Sequence, residues 1–576
     1  MTALHVIQNA DVRTMDASGR RAEAVAWRDG KIVAVGTRAE VAGPEATVWD
    51  AGGATVLPGF VDAHHHAFLA TLMDGGVRLR PPGVCTIADL QRALSAASAQ
   101  LPPGAWLVAS EWDEALLAER RAPTRRELDD AVPDRPLLAF HYSCHRALAN
   151  SRALEAAGID KHTPDPSGGL ISRGPDGLPD GLLIERGMSR VEIAARANHT
   201  PEQANDFFAR LAQHHDALLA AGITRIADAA VPADLMVLYR EAARRGFLRV
   251  PTVMMPVSAR GTFEAPWDVL EGPVTGEEEG LLTVGALKLI FDGAPVCAMC
   301  VGWRQMAGAV VNTLAMGLRQ RSFDSMRTMS SARLRFGRDG VRTGINIYRR
   351  EEARAVIRAA TERGFAVATH AIGNDAIDIA VSAYEATGSA VSRIRAPRIE
   401  HAVFLSRPLV ARMANAGVLV VAQPHFLALP AMGTAARIPG IANTALRWLL
   451  DAKIKVAGSS DYPVASFDPL DGIRSAVHRR TLRGHVNEPE QRIALDEALT
   501  MYTRTSAEAC GALDRCGTLE AGKRADIVVL DGPLASDLKS VRVRATVLGG
   551  DVAFGQISSR ASAPRENREP SADRGP

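Results

Sequence analysis

The stretch VLPGFVDAHHH, residues 56–66, ends an apolar segment with three consecutive histidines. Its first residues favour a β-strand, and the Pro-Gly pair marks a break at the entrance to that strand. Successive side chains of a strand point to opposite faces. Asp62, His64 and His66 are therefore predicted to share one face, while His65 is predicted to lie on the other.

Two histidines spaced i, i+2 at a strand end can bind one metal ion through neutral ring nitrogens, with Asp62 nearby to orient a ring. The alternative is a polar strand end without a ligand, in a chain that contains 15 histidines. The stretch alone does not decide between the two, so a metal site requires partners elsewhere in the chain.

The composition limits the class of protein. The chain has 576 residues, 47% of them apolar, which is enough for a large core and more than one domain. Its 67 basic and 65 acidic residues nearly cancel, so nothing indicates nucleic acid or a membrane surface as a partner. No signal peptide or membrane-spanning segment is recognised, and six scattered cysteines make no disulfide framework. We expect a soluble cytoplasmic protein that acts on a small molecule.

Short apolar segments alternate with amphipathic, helical ones from about residue 200 to 515. Strands are predicted at 222–230, 248–256, 282–293, 365–373, 397–404, 418–426 and 453–461. This alternation indicates parallel strands with helical crossovers. Together with the strand in residues 56–66 there are eight, the number that closes a TIM (β/α)8 barrel. An open doubly wound sheet is the structural alternative, but no Gly-rich dinucleotide motif follows an early strand.

The remaining segments are predicted to form two further parts. The long connection after the first barrel strand carries its own strand and helix signals and is interpreted as an inserted α/β subdomain. Both chain ends have the turn spacing of antiparallel sheets and are expected to combine into one composite β-sandwich. The predicted boundaries are 1–57 and 515–555 for the β-sandwich, 58–78 and 207–514 for the barrel, 79–206 for the insert, and 556–576 for a polar, disordered tail.

Metal-capable residues recur at the carboxyl ends of the predicted strands, where TIM barrels carry their chemistry. They are His64 and His66 on the first strand, Lys288 and Asp292 on the fourth, His370 on the fifth, His401 on the sixth and Asp461 on the eighth. One strand-end histidine is usually structural, but their joint occurrence at one end of one barrel indicates a metal site. Four imidazoles and a carboxylate suit a divalent ion, with Zn²⁺ the leading candidate.

Such a site has a defined chemistry. Zn²⁺ lowers the pKa of bound water from 15.7 to about 7 and so supplies hydroxide at neutral pH. Asp461 could hold that water as general base and carry its proton to a leaving amine. A metal that faces the substrate oxygen would polarise the carbonyl group.

Six motifs carry a resemblance to a known family: PGFVDAHHH (58–66), LKLIFDG (287–293), THAIG (369–373), RIEHA (398–402), GSSDYPV (458–464) and GTLEAGKRADIVVLD (517–531). They resemble the amidohydrolase superfamily, in particular its amidohydrolase-3 (YtcJ-like) branch, which includes N-substituted formamide deformylases. The resemblance spans nearly the whole chain and implies a TIM barrel with a β-sandwich built from both termini.

The resemblance also implies residue roles. It implies that His64, His66, His370, His401 and Asp461 are metal ligands, and that His65 points away from the metal. Lys288 occupies the position where many members carry a carboxylated lysine that bridges two metals, so one Zn²⁺ or two per chain remain possible. The segment 141–154 matches one that places a histidine, here His145, near the site.

Further residues are candidates for substrate contact. Gln423 and His425 end the seventh strand, where either a substrate contact or a structural hydrogen bond fits equally. Trp112 and His145 belong to the insert that is expected to roof the barrel mouth, and His145 is the better candidate. Glu400 alternates with His401 and is expected to face away from the metal, in a supporting role.

One segment departs from the family pattern. FDGAPVCAMCVGWRQM (291–306) replaces a Ser/Arg-containing stretch, and the loop of about 294–345 is longer than usual. Cys297 and Cys300 form a lone CxxC, which is expected to line an apolar pocket rather than to bind a metal.

The sequence therefore predicts a metal-dependent hydrolase of a non-peptide C–N bond, in an amide or an N-substituted formamide. One alternative is a deaminase of a cyclic or aryl amine, which would release ammonia. Another alternative is a non-catalytic regulatory protein that keeps the fold. The complete set of predicted ligands, four histidines and Asp461, argues against this alternative. The sequence does not fix the oligomeric state, and the resemblance is compatible with a homodimer, which is common in the superfamily.

Overall fold

The structure is a computed structural model that describes residues 3–41, 46–197, 201–293, 297–320, 334–392, 395–429, 437–481, 484–532, 534 and 538–557, except the side chains of 201–204, 316, 317, 319 and 320. The chain divides into one unit of residues 59–517 and another of residues 1–58 and 518–576. Most of the predicted disordered tail, residues 558–576, lies outside the described residues.

Parallel strands joined by helices form the centre of the larger unit. One sheet contains Phe60–His65, Ile223–Pro232, Thr252–Val257 and Leu282–Val284, and a second contains Leu287–Ile290, Val367–Ala371, Arg398–His401, Leu419–Ala422 and Val456–Gly458. The amide of Asp461 donates to the carbonyl oxygen of His64 at 2.8 Å, so the residues that follow the last strand meet the end of the first. The arrangement is a TIM-barrel-like α/β fold.

The predicted fourth strand, 282–293, is present as two pieces instead of one. Its first piece pairs with the third strand and its second piece with the fifth. Gly285 lies between the pieces, where a Cβ atom would be only 3.0 Å from the carbonyl oxygen of Met254. The backbone at residue 285 therefore approaches the third strand so closely that only glycine fits. This close approach interrupts the regular hydrogen bonding of the fourth strand.

Helices outside the insert connect or flank the parallel strands of the larger unit. They are Ala67–Asp74, Pro201–Ala220, Met236–Arg244, Trp303–Gln320, Arg350–Arg363, Asn374–Thr387, Arg407–Asn415, Leu446–Asp451, Pro469–His478, Leu495–Thr500 and Ser506–Ala509. Helix Arg350–Arg363 buries Ala353, Val356, Ile357 and Ala360, spaced along one face, and ends at Gly364 with a left-handed φ of 104°. None of the helices that the structure describes is long and apolar enough to cross a membrane.

The insert contributes five strands to a six-stranded sheet, whose sixth strand, Val77–Arg78, precedes the predicted start of the insert at residue 79. The strands of this sheet, in spatial order, are Gly169–Arg173, Pro179–Glu185, Arg146–Ala149, Leu137–His141, Leu107–Trp112 and Val77–Arg78. Helices Ile87–Ser98, Arg125–Ala131, Ser151–Ala156 and Ser189–Arg196 belong to the same segment. The predicted boundary between residues 206 and 207 falls inside helix Pro201–Ala220, which continues without a break to the second barrel strand.

Strands from both chain ends share a sheet in the smaller unit. Thr55–Pro58 pairs with Asp11–Arg13 on one side and with Ile527–Leu530 on the other. That sheet also contains Arg21–Ala22, Val543–Leu548 and Asp551–Gly555, and a four-stranded sheet contains Lys31–Gly36, Ala24–Arg28, His5–Gln8 and Thr47–Asp50. One apolar cluster, which includes Ile7, Trp27, Val56, Ile527 and Val547, joins the two sheets. The stretch 56–66 therefore supplies a strand to each unit.

The segment 294–345 was expected to be a loop, but its described residues are largely ordered into regular elements. Strands Cys300–Gly302, Gly340–Arg342 and Arg335–Phe336 form a small antiparallel sheet. Helix Trp303–Gln320 follows the first of these strands. Residues 294–296 and 321–333 lie outside the described part of the chain.

Candidate metal centre

Three of the predicted ligands converge at the carboxyl ends of the first and last strands. The ligand atoms of His64, His66 and Asp461 all lie within 4.8 Å of one another. Nε2 of His66 lies 2.9 Å from Oδ1 of Asp461, and Nε2 of His64 lies 3.3 Å from the same oxygen. All three side chains are shielded from solvent or nearly so, as expected of groups that share one ion.

The other two histidines lie beside this cluster. The ring centroid of His401 is 4.8 Å from that of His64 and 4.4 Å from that of His370. Nε2 of His370 and Nε2 of His401 are buried, yet neither has a hydrogen-bond partner among the described residues. Buried polar atoms are normally paired. Two unpaired imidazole nitrogens beside two further imidazoles and a carboxylate therefore fit a divalent ion such as Zn²⁺.

Lys288 reaches the same cluster from the fourth strand. Its Nζ lies 3.1 Å from Nε2 of His64, and only 3% of the residue is exposed. Burial lowers the pKa of Lys288 to about 8. The side chain thus lies buried beside the predicted ligand His64.

Hydrogen bonds fix which ring nitrogens face the site. Nδ1 of His64 donates to Oε2 of Glu400, and Nδ1 of His401 donates to Oε1 of Gln423 at 2.8 Å. Because Nδ1 carries the proton in both rings, Nε2 keeps its lone pair for a metal. Asp62 was expected to orient a ligand ring, but Glu400 does so for His64, while Asp62 bonds to His65.

Burial favours the neutral forms of His370 and His401, and neighbouring groups favour the ionised form of Asp461. Burial lowers the pKa of His401 to about 3, and burial with the neighbouring His401 lowers the pKa of His370 well below its ordinary value. Burial alone would raise the pKa of Asp461, but the adjacent imidazoles of His64 and His66 hold it well below its ordinary value. Neutral imidazoles and an ionised carboxylate are what a divalent ion requires.

The predicted roof residue His145 does reach the site. Its ring centroid is 4.9 Å from that of His370 and 5.5 Å from that of Phe263. Nδ1 of His145 lies 3.0 Å from Oε2 and 3.2 Å from Oε1 of Glu185, which is fully buried. Burial would lower the pKa of His145, but Glu185 raises it above the ordinary value. The structure thus places a Glu–His pair from the insert beside a ligand.

The prediction that Trp112 contacts substrate is corrected by its position. The residue is fully buried in the apolar core of the insert, with Leu90, Leu128 and Leu148 in the same cluster. Its indole nitrogen donates to the carbonyl oxygen of Ala139 at 3.0 Å. The tryptophan is therefore a core residue whose one polar atom is already paired.

The two residues predicted after the seventh strand have structural partners. Gln423 accepts from His401 and donates through Nε2 to Oγ of Ser459 at 2.8 Å, so its amide is used in holding a ligand. His425 lies in the 3-10 turn Pro424–Ala428, beyond the strand end at Ala422, and its Nε2 donates to the carbonyl oxygen of Ser460 at 3.0 Å. Both support the site from outside it.

Asp292 and the cysteine pair also have structural surroundings. The carboxylate of Asp292 accepts from the amides of Ile372, Gly373 and Ala298 and is 3.7 Å from Nε2 of His370. Cys297 packs against an apolar cluster that includes Met299 and Phe426. Cys300 lies in a strand, and both thiols are free.

A second group with metal-capable atoms lies in the insert, at Asp113, Glu114 and His141. Arg146 fills it: its guanidinium donates to Glu114 at 2.8 Å and 3.1 Å and lies 2.6 Å from Nε2 of His141. A cation already occupies the position that an ion would need, so this group is an internal ion pair.

Comparisons with known proteins agree with this geometry. The chain belongs to the amidohydrolase family, whose sequence profile matches residues 47–554. It is 31% identical to the N-substituted formamide deformylase of Arthrobacter pascens over 96% of this chain and 99% of that protein. It is 29% identical to the putative amidohydrolase YtcJ of Bacillus subtilis, over 94% and 98% respectively.

A solved structure shares the fold. An uncharacterized metal-dependent hydrolase from Pyrococcus horikoshii superimposes with a TM-score of 0.67 at 21% identity and covers 93% of this chain and 98% of its own. The predicted family and the predicted class of enzyme, an amidohydrolase, are confirmed.

Proposed function

We propose that the protein uses a divalent metal, with Zn²⁺ the leading candidate, to hydrolyse a non-peptide C–N bond in an amide or an N-substituted formamide. The observation that carries the proposal is the convergence of four imidazoles and Asp461, with the buried Nε2 atoms of His370 and His401 lacking partners among the described residues. The likeness to a formamide deformylase over nearly the whole chain supports the choice of bond. The finer architecture proposed with it is a closed (β/α)8 barrel with an inserted subdomain.

The ligands in this proposal are His64, His66, His370, His401 and Asp461, with Lys288 at the bridging position. When bound there, the metal supplies Lewis acidity and lowers the pKa of water. Glu400 and Gln423 hold the rings of His64 and His401 with Nε2 turned inward. Asp461 is ionised, so a carboxylate oxygen can take the proton of the attacking water and give it to the nitrogen of the leaving amine.

The roof of the site supplies a contact for the substrate. His145 is held by Glu185 beside His370, and 15% of its side chain is exposed. Because Nδ1 of His145 is hydrogen-bonded to Glu185, we propose that Nε2 of His145 contacts a polar group of the substrate.

The test combines metal content with turnover. The purified protein would be analysed by mass spectrometry of its metals and then assayed against amides and N-substituted formamides at neutral pH. Close to one Zn²⁺ per chain would indicate an unmodified Lys288, and close to two would indicate its carboxylation. The proposal predicts release of an amine with a carboxylic acid, whereas ammonia as the product would indicate a deaminase. A protein that takes up no metal on reconstitution would contradict the proposal.

A further inference from the structure

The backbone of Asp461 is in the left-handed region, with φ of +56°. This region is unfavourable for residues other than glycine, although Asp and Asn tolerate it better than most. Such conformations persist where the surroundings hold them, and they cluster at functional sites. The contacts that flank Asp461 therefore decide where its carboxylate points.

Asp62 holds both neighbours of Asp461. Oδ1 of Asp62 accepts from the amide of Ser460 at 2.9 Å, and Oδ2 accepts from Oγ of Ser460. The same hydroxyl accepts from the amide of Tyr462 at 3.0 Å. One carboxylate thus fixes the residue before Asp461 directly and the residue after it through a single hydroxyl.

Backbone hydrogen bonds connect the same segment to the strand that carries the first two ligands. The amide of Asp461 donates to the carbonyl oxygen of His64 at 2.8 Å, and the amide of His66 donates to that of Tyr462 at 3.0 Å. Because Asp62 precedes these histidines in the same strand, it links the position of Asp461 to that of His64 and His66.

Two further histidines, His65 and His214, form a hydrogen-bonded chain that ends on the carboxylate of Asp62. Nδ1 of His65 donates to Oδ2 of Asp62 at 2.9 Å, and Nε2 of His65 is 2.7 Å from Nε2 of His214. Since His65 carries its proton on Nδ1, its Nε2 accepts from His214. His65 is fully buried and His214 is 6% exposed. The carboxylate is thus fixed by donors on both sides, which leaves it unsuited to ligate an ion.

We propose that Asp62, backed by His65 and His214, is a positioning residue that holds the carboxylate of Asp461 between His64 and His66. This inference rests on the proposed function, in which Asp461 moves the proton. It assigns to Asp62, which lies in the first strand, a role in placing the ligand Asp461, which follows the last strand.

The experiment compares Asp62→Asn with a matched control, Asp268→Asn. Asp268 accepts from Oγ of Ser258 at 2.8 Å and from the amide of Ala259 at 2.8 Å, after the third strand, which carries no predicted ligand. Asp62→Asn replaces one acceptor oxygen by an NH₂ group that faces the hydroxyl of Ser460 and Nδ1 of His65. Zn²⁺ affinity, measured by competition with a chromogenic chelator, and kcat and KM on an amide found by screening are the readouts.

For Asp62→Asn we expect kcat to fall 10–100-fold at nearly unchanged KM, and Zn²⁺ affinity to fall by up to tenfold, whereas Asp268→Asn matches the wild type in all three. Ser460→Ala should give the same kcat loss, and the double variant should be no worse than Asp62→Asn, because both changes remove one interaction. If Asp62→Asn fails to fold, Ser460→Ala decides in its place.

Wild-type kcat and Zn²⁺ affinity in Asp62→Asn would overturn the inference, as would an equal loss in Asp268→Asn. A wild-type protein that binds Zn²⁺ but cleaves no amide or formamide would instead refute the proposed function. In that case the Zn²⁺ affinities of the two variants would still decide whether Asp62 positions Asp461.

Discussion

Glu400 accepts a hydrogen bond from Nδ1 of His64, although 336 positions separate the two residues in the chain. Its other oxygen accepts from Nε of Arg398 at 2.9 Å, so the carboxylate cannot rotate away. Burial would raise the pKa of Glu400, but Arg398 and His64 hold it below its ordinary value. The sixth strand therefore supplies one ligand, His401, and the orienting partner of another.

Glu400→Gln is expected to weaken Zn²⁺ binding by about 10–100-fold, because an amide orients the imidazole less firmly and makes it a weaker base. Competition with a chelator measures the change. Glu114→Gln is the matched control, since Glu114 is a carboxylate near His141 in the insert. Unchanged affinity in Glu400→Gln would show that His64 is oriented by other contacts.

Asp461→Asn is expected to lower kcat by about 10²–10⁴-fold while most of the bound metal is retained. The four imidazoles remain as ligands, but the amide cannot take up a proton from water. Metal analysis and steady-state kinetics on the same preparation check both parts. Turnover close to that of the wild type would exclude Asp461 as the proton carrier.

Gly293→Ala is expected to displace the Glu–His pair that roofs the site. A Cβ atom there would lie 1.9 Å from Oε1 of Glu185 and 2.3 Å from Nδ1 of His145, so both side chains must move. We expect a higher KM with metal content unchanged, measured against Gly272→Ala, where a Cβ meets its first neighbour only at 3.2 Å. A wild-type KM would indicate that His145 does not contact the substrate.

Trp112→Phe is expected to reduce stability without altering KM. The variant leaves the carbonyl oxygen of Ala139 without its indole donor, which costs roughly 1–3 kcal/mol in a buried position. Thermal unfolding and steady-state kinetics are the measurements. A raised KM at wild-type stability would restore Trp112 as a substrate contact.

The pH dependence of stability should change in Asp228→Asn. Burial raises the pKa of Asp228 from 3.8 to about 6, although Phe68 and Tyr239 donate to the carboxylate. The folded state then binds this proton more tightly than the unfolded chain, so the protonated group stabilises the fold at low pH. That stabilisation is lost as the pH rises from about 4 through 6.

Relative to the wild type, Asp228→Asn should therefore gain stability as the pH is raised from 4.5 to 7, by at most about 3 kcal/mol. Unfolding temperatures of the two proteins, measured across this range, give the difference directly. Parallel curves would show that Asp228 titrates near its ordinary value in the folded protein.

Much of the site could be read from the sequence because its ligands follow strands. Alternation within a strand and the common end of parallel strands are local rules, and they place His64, His66 and Asp461 together. The structure brings His370 and His401 to the same place. These rules cannot predict which residue accepts a hydrogen bond from each imidazole ring. Glu400 and His64, for example, are brought together only by the tertiary fold.

The incorrect or missed predictions likewise concern contacts that depend on tertiary packing. Trp112 ends a strand of the insert, as a site residue would, and only the packing of that subdomain shows that it faces the core. Glu185 has no sequence signal that links it to His145, and His214 lies on a helix remote from every motif. The predicted boundary at 206/207 divides helix Pro201–Ala220, because the sequence offers no break that marks where the insert ends.

The shared sheet of the two chain ends has a consequence for synthesis on the ribosome. Thr55–Pro58 pairs with Ile527–Leu530, so its partner on that side is made long after it. At about 5–20 residues per second, the first strands wait on the order of half a minute or longer. During that time an apolar strand edge remains open to other nascent chains. A chain that ended before residue 527 would leave this edge of Thr55–Pro58 without its partner strand.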